Sequence, residues 1–184
     1  MYFFCPPHSE YASKQPVMSI QFNLAHGLET RTIESSDYDF LYQLYASTRV
    51  DEMVSMGWSE EEQHAFLTQQ FEFQHRYYQE HFSDAQFWVL LREAVPIGRL
   101  YWWVRNKHAA LIDLSLMPAW REQEIGTAVI QSLVEHADKH GLTISLYVES
   151  TNPAYRLYLL FGFEVVRDNG MHLKMRRHAR EKYA

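Results

Sequence analysis

The sequence predicts a single α/β domain of the α+β kind, and three stretches carry that prediction. Residues 87–91 and 97–104 are apolar strands separated by a short turn at Glu93 to Pro96, an antiparallel hairpin. Residues 109–117 form a strand-like run ended by Pro118. A helix-spaced apolar series follows at Ile125, Val129, Ile130, Leu133, Val134 and Ala137, closed by Gly141. Residues 143–148 read as a further strand, and Asn152-Pro153 then supplies a capping side chain and a helix-starting proline in consecutive positions.

Taken in chain order, residues 1–27 mix Pro6, Pro7, Pro16, aromatics and polar residues without periodicity and read as an N-terminal extension; Met18 is an alternative start. The domain proper spans 28–178, and 179–184 is a basic tail. Residues 30–33 alternate as a strand does, and Ser36 with Asp39 resembles a helix start ahead of Leu41, Leu44 and Tyr45. Ser59 and Glu62 form a stronger capping box, with acidic residues in a first turn where the helix dipole favours them. The helix it opens runs to about Gln79. Its rings, Phe66, Phe71, Phe73, Tyr77 and Tyr78, exceed one narrow stripe and are interleaved with Gln63, Gln70 and Gln74. They either pack on a sheet or partly line a pocket. Residues 163–166 and 172–175 are two short strands joined by a turn at Asn169-Gly170. The element order is strand, two helices, three strands, helix, strand, helix, two strands.

Composition excludes several classes. With 184 residues, 47% hydrophobic and 22% charged, the chain is globular and long enough to bury a core without disulfides. No apolar run approaches the roughly 20 residues of a membrane span, and no signal peptide opens the chain, so a cytoplasmic protein with no membrane partner is expected. The lone Cys5 rules out an internal disulfide. A net charge of -6 disfavours a nucleic-acid partner. None of the ten histidines joins a metal-spaced pair in a plausible pocket, so no metal is expected.

Between the strand at 109–117 and the helix after it lies Arg121-Glu122-Gln123-Glu124-Ile125-Gly126-Thr127-Ala128, a polar loop that delivers free backbone N–H groups at a helix start. Alone it is either a phosphate cradle or a plain connection. Further on, residues 152–163 read Asn-Pro-Ala-Tyr-Arg-Leu-Tyr-Leu-Leu-Phe-Gly-Phe.

Together, in this order and spacing, the two stretches resemble the signatures of GNAT-type N-acetyltransferases: Arg/Gln-x-x-Gly-x-Gly/Ala, and Asn-x-x-Ala-x-x-Leu-Tyr-x-x-x-Gly-Phe. The second is matched at every fixed position. In the first, Glu122 and Glu124 stand where the family usually has glycine; the register Gln123-x-x-Gly126-x-Ala128 also fits the letters. The resemblance implies a mixed, mostly antiparallel sheet with helices on both faces, in which two neighbouring strands, 111–117 and 143–148, part to admit acetyl-CoA. By the same resemblance Arg121, Glu122, Gln123, Glu124, Gly126 and Thr127 hold the diphosphate. Leu116 and Met117 meet the pantetheine arm through main chain, Asn152 and Tyr155 touch that arm, and Tyr158 is the general acid.

Acetyl transfer to a primary amine by direct attack on the thioester needs a neutral amine, although a free alkylamine has a pKa near ~10.4. Asp113 is the first candidate for base, since alternation puts Asp113, Ser115 and Met117 on one face and Ile112, Leu114 and Leu116 on the other. The alternative is that Asp113 is a structural hydrogen-bond acceptor; Glu149 is the second candidate. A backbone N–H near Leu116 would meet the oxyanion. Glu52, Trp58, Gln74, Tyr101 and Trp103 are acceptor-pocket candidates, an aromatic and acidic set suited to a cationic amine. The rival from another class is a catalytically idle acyl-CoA sensor, motivated by the two glutamates in the loop. The aromatic content and C-terminal strand also admit a homodimer.

Overall fold

The computed structural model describes residues 27–180; Cys5, the three prolines of the extension and Met18 lie outside them. Seven strands form one sheet: β1 (Leu28–Thr32), β2 (Gln86–Arg92), β3 (Val95–Arg105), β4 (His108–Leu116), β5 (Thr143–Glu149), β6 (Glu164–Asp168) and β7 (His172–Arg177). Their order is β1-β2-β3-β4-β5-β7-β6, antiparallel throughout except for the parallel β4–β5 pair. The expected mixed, mostly antiparallel sheet is what the chain builds.

Five α-helices accompany the sheet among the described residues: α1 (Tyr38–Ser47), α2 (Val50–Met56), α3 (Glu60–His81), α4 (Ile125–His140) and α5 (Ala154–Leu160). At the start of α3 the Ser59 hydroxyl accepts from Glu62 N while Glu62 Oε2 accepts from Ser59 N, so two otherwise unpaired donors are satisfied reciprocally. The entry to α1 differs from expectation. A 3-10 turn, Ser35–Asp37, leads into the helix, and Glu34 and Asp37 cap that turn rather than Ser36 and Asp39 capping the helix; Asp37 also takes a bidentate ion pair from Arg31 at 2.6 Å. Helix α2 was not foreseen; it is two turns long and buries only Met53.

Helices cover both faces. On one side Val129, Ile130, Leu133 and Ala137 of α4 and Tyr158 of α5 pack against Leu100, Trp102, Leu111, Ile144 and Leu146. On the other, Tyr78 of α3 and the following Phe82 meet Tyr101, Trp103 and Ala110, while Phe71 joins Leu41 and Tyr45 of α1. The α3 rings therefore divide: Phe71 and Tyr78 are core, whereas Phe73 is exposed.

One irregularity in β4 positions the site. Tyr101 pairs with Asp113 but Trp102 pairs with Leu111, leaving Ile112 as an extra, bulged residue. Alternation therefore breaks there: Ile112 packs on the α3 side with Ala110, the side Asp113 also occupies, so the expected opposition of Ile112 and Asp113 is corrected. A bulge bends its strand, and the β4–β5 ladder stops at this point, its last pair being Leu111 with Leu146. Beyond it the two strands part. Gly98 keeps β3 close to the departing segment, because a β-carbon there would overlap the Ser115 carbonyl oxygen.

Candidate active site

A cavity of about 240 Å³ occupies the opening between β4 and β5, with walls from residues 110–115 and 145–149 and a roof from α1 and α3. Sequence reasoning expected the gap; the bulge at Ile112 is its physical cause. Met117 N donates to Ile97 O at 2.9 Å, so in antiparallel alternation the N–H and C=O of Leu116 face away from β3, toward the gap. The Leu116 carbonyl accepts from Arg121 Nε at 2.9 Å, which leaves the Leu116 N–H as the open main-chain donor. Met117 is corrected in this respect: its N–H belongs to the sheet.

Helix α4 follows the departing end of β4 through a loop that Arg121 ties back to the Leu116 carbonyl. Its first ladder bond runs from Ala128 N to Glu124 O, so the N–H groups of Ile125, Gly126 and Thr127 lie ahead of the ladder. Glu122 and Glu124 both adopt left-handed backbone, with φ of 59° and 60°. Those are the two positions where the resemblance expects glycine, and the loop keeps the glycine conformation with glutamate in place. A left-handed non-glycine residue costs roughly 1–2 kcal/mol. Both residues are exposed. Gln123 Nε2 donates to Ala119 O, and Arg121 Nη2 reaches the Ser47 hydroxyl at 3.1 Å, tying the loop to the end of α1.

Among the proposed chemical residues, Tyr158, Asp113 and Glu149 all line the cavity. Tyr158 is buried, its ring edge-on to Phe163 at 5.7 Å. Burial, and secondarily the charge of Asp113, push its phenol well above the ordinary range. Asp113 has both oxygens engaged: Oδ2 accepts from Arg99 Nη2 and Oδ1 from the Ser115 hydroxyl, each at 2.7 Å. Glu149 is one-third exposed, and Arg49 Nη1 approaches its Oε1 at 3.6 Å. Asn152 lines the same space, its Oδ1 capping α5 through Ala154 N at 2.9 Å, while Tyr155 is half-buried against the main core.

The acceptor candidates divide. Gln74 lines the cavity and accepts from Arg99 Nη2 at 3.0 Å. Glu52 does not line it, but pairs at 2.8 Å with Arg49, which does. Trp58 packs edge-on against Phe66 over a separate surface depression. Tyr101 is enclosed between Tyr78 and Phe87, and Trp103 donates to Asp84 Oδ1 at 2.9 Å; both are core rather than cavity wall.

Sequence reasoning missed the cations. Arg99 is 3% exposed and sits in the middle of an otherwise apolar strand, and that lone charge in residues 97–104 was the available signal. Arg49, Tyr45 and Thr48 at the end of α1 gave none, since their placement depends on how α1 meets the sheet. Among the described residues no group of three or more potential metal ligands occurs; the His136 and His140 rings approach to 4.4 Å on α4 without a third. Nor is any described helix long and apolar enough to cross a membrane.

Comparison with known proteins gives consistent results. Residues 40–163 match the model of the acetyltransferase (GNAT) family. No curated protein matches the chain in sequence. Among solved structures, the PaiA N-acetyltransferase of Thermoplasma acidophilum, in complex with coenzyme A, is 19% identical, with 83% of this chain and 99% of that chain covered at a TM-score of 0.61. The ribosomal-protein-S18-alanine N-acetyltransferase of Escherichia coli is 17% identical, with coverage of 85% and 96% and a TM-score of 0.56. An acetyltransferase of Thermus thermophilus is 17% identical, with coverage of 84% and 99% and a TM-score of 0.61. At these identities the likeness speaks for the fold.

Proposed function

The chain belongs to the GNAT family of acetyltransferases, and from that premise we propose that it is an acetyl-CoA-dependent N-acetyltransferase acting on a primary amine. The observation that carries the reading is the parting of β4 from β5 beyond Leu111, with Tyr158 lining the opening and the unladdered N–H groups of α4 following β4 in the chain. A thioester donor with a diphosphate would find partners in each. The N–H groups of Ile125, Gly126 and Thr127 face the anion, and the helix dipole adds to them. Leu116 N–H and the edges of the two strands meet the amides of the pantetheine arm. Coenzyme A bound to a protein of the same fold supports this arrangement.

The bound coenzyme supplies the activated acetyl group; the rest falls to the chain. Glu149 is the better-suited base, because its carboxylate carries open lone pairs, whereas both Asp113 oxygens are engaged. It takes the ammonium proton directly or through one water. As the amine nitrogen bonds to the carbonyl carbon, the Leu116 N–H stabilises the oxyanion, and the carbon–sulfur bond breaks. Tyr158 then gives its phenolic proton to the departing thiolate, and its phenolate takes back the second proton that the cationic nitrogen loses as the amide forms, directly or through one water. Asp113, with Ser115, holds Arg99 in position.

Free-thiol release from acetyl-CoA, followed across amine classes, tests the reading. Turnover on one class supports it; tight coenzyme binding with no turnover on any amine points to the idle acyl-CoA sensor instead. A second expectation concerns the loop. Glu124→Gly removes both a left-handed glutamate and a charge beside the diphosphate, so it is expected to raise stability by about 1 kcal/mol and to tighten coenzyme binding a few-fold at low salt. Denaturant melts and titrations at two salt concentrations read the two effects separately. An unchanged affinity at low salt would place the diphosphate away from Glu124.

A further inference from the structure

We infer that the acceptor is an amino acid, recognised through its carboxylate by the Arg99 guanidinium at the floor of the cavity. This rests on the acetyltransferase reading and deepens it. Arg99 is buried, and its three nitrogens have different situations. Nη2 is committed to Asp113 and Gln74, at 2.7 and 3.0 Å. Nε is enclosed without a hydrogen-bond partner. Among the described residues Nη1 has no partner either, yet it is not among the enclosed atoms, so it is the corner of the guanidinium that reaches the cavity.

Nη1 opens into a recess walled by a largely buried cation, where a donor gains most from a charged acceptor. An arriving carboxylate would satisfy it with a charge-assisted bond, whereas a second ammonium would meet a positive charge in a low-dielectric recess. Charge balance around the cavity points the same way. Among the lining residues Arg49 stands against Glu149 and Arg99 against Asp113, so two guanidiniums meet two carboxylates and these four leave no excess charge, which suits a ligand that is itself neutral overall. A zwitterion answers both features, its ammonium drawn to Glu149 and its carboxylate to Arg99. A purely cationic acceptor, such as a polyamine, would leave the Arg99 corner unmet.

The test compares matched acceptors. The common L-amino acids with a primary amine are each assayed for thiol release beside the corresponding α-amide and, where stable, the decarboxylated amine; spermidine and putrescine complete the set. For the best acceptor, the acid is expected to exceed its amide and amine in kcat/KM by about 10- to 100-fold, the equivalent of one charge-assisted hydrogen bond. Because Arg99→Met strands a buried Asp113 and endangers folding, the double variant Arg99→Met/Asp113→Leu is the companion. In it the acid-over-amide ratio is expected to fall to about one.

Equal or better turnover of amides, decarboxylated amines or polyamines overturns the inference while leaving the acetyltransferase reading intact. A ratio that survives in the double variant overturns it too. If nothing is turned over, the acids and amides are compared by thermal shift in the presence of coenzyme A. Acid-selective stabilisation supports the carboxylate site without the reaction; equal shifts, or none, overturn it.

Discussion

Replacing Tyr158 with phenylalanine is expected to lower kcat by about 10²- to 10⁴-fold, the usual contribution of one positioned acid, while leaving coenzyme affinity within a factor of about two. The ring stays, so its edge-on contact with Phe163 and its place against Val148 and Leu173 survive. Only the hydroxyl is lost. Burial holds that hydroxyl above its ordinary value of about 10, and this sets a pH signature. The acid is needed in its protonated form, and a raised pKa extends that form upward. Activity should therefore climb as the amine loses its proton and show no alkaline decline attributable to Tyr158 before roughly pH 10. Steady-state kinetics on both proteins across the alkaline range reads both effects. An unaltered kcat in the phenylalanine variant would remove Tyr158 from the chemistry.

Asp113→Ala is expected to cost about 3–5 kcal/mol of stability, among the largest effects any single polar substitution in this domain should have. Arg99 and Asp113 are 3% and 10% exposed at their side chains, so removing the carboxylate leaves a guanidinium enclosed by Tyr101, Gln74 and the sheet. The charge, rather than the lost contact, is what destabilises. The double variant Arg99→Met/Asp113→Leu should recover most of the loss, since replacing a buried pair by apolar side chains of similar size is often neutral or better. Urea denaturation of wild type, single and double variants measures this directly. A cost below about 1 kcal/mol for the single variant would mean that water reaches the pair.

Most of the architecture was legible because local chemistry agreed with the final fold. Ser59 with Glu62, Asn152 with Pro153, Gly141, and the turns at Glu93 and Gly170 each mark a boundary within a residue or two of where it falls. Helix α2 escaped because seven residues with one buried side chain carry no period. The bulge at Ile112 escaped for a different reason: its cause is the pairing of β4 with β3, a non-local property that no short window of sequence contains.

The candidate site divides along the same line. Residues within a contiguous motif, Gly126, Asn152 and Tyr158, could be named from the chain. Those brought together by packing, Arg49, Arg99 and Gln74, mostly could not, and Gln74 was singled out for its helix face rather than for its partner Arg99. Trp58 and Trp103 show the limit of composition: both are aromatic and near the right elements, and neither lines the cavity.

The proposed acetyl transfer requires a coenzyme held by main chain at the mouth of α4 and in the gap between β4 and β5. Calorimetric titration with coenzyme A and, in parallel, with pantetheine, which lacks the diphosphate, tests this most directly. Coenzyme A is predicted to bind, and pantetheine to bind at least about 100-fold more weakly, the loss of roughly 3 kcal/mol that several charge-assisted N–H contacts would supply. Equal affinity for the two, or no heat with coenzyme A, would contradict it.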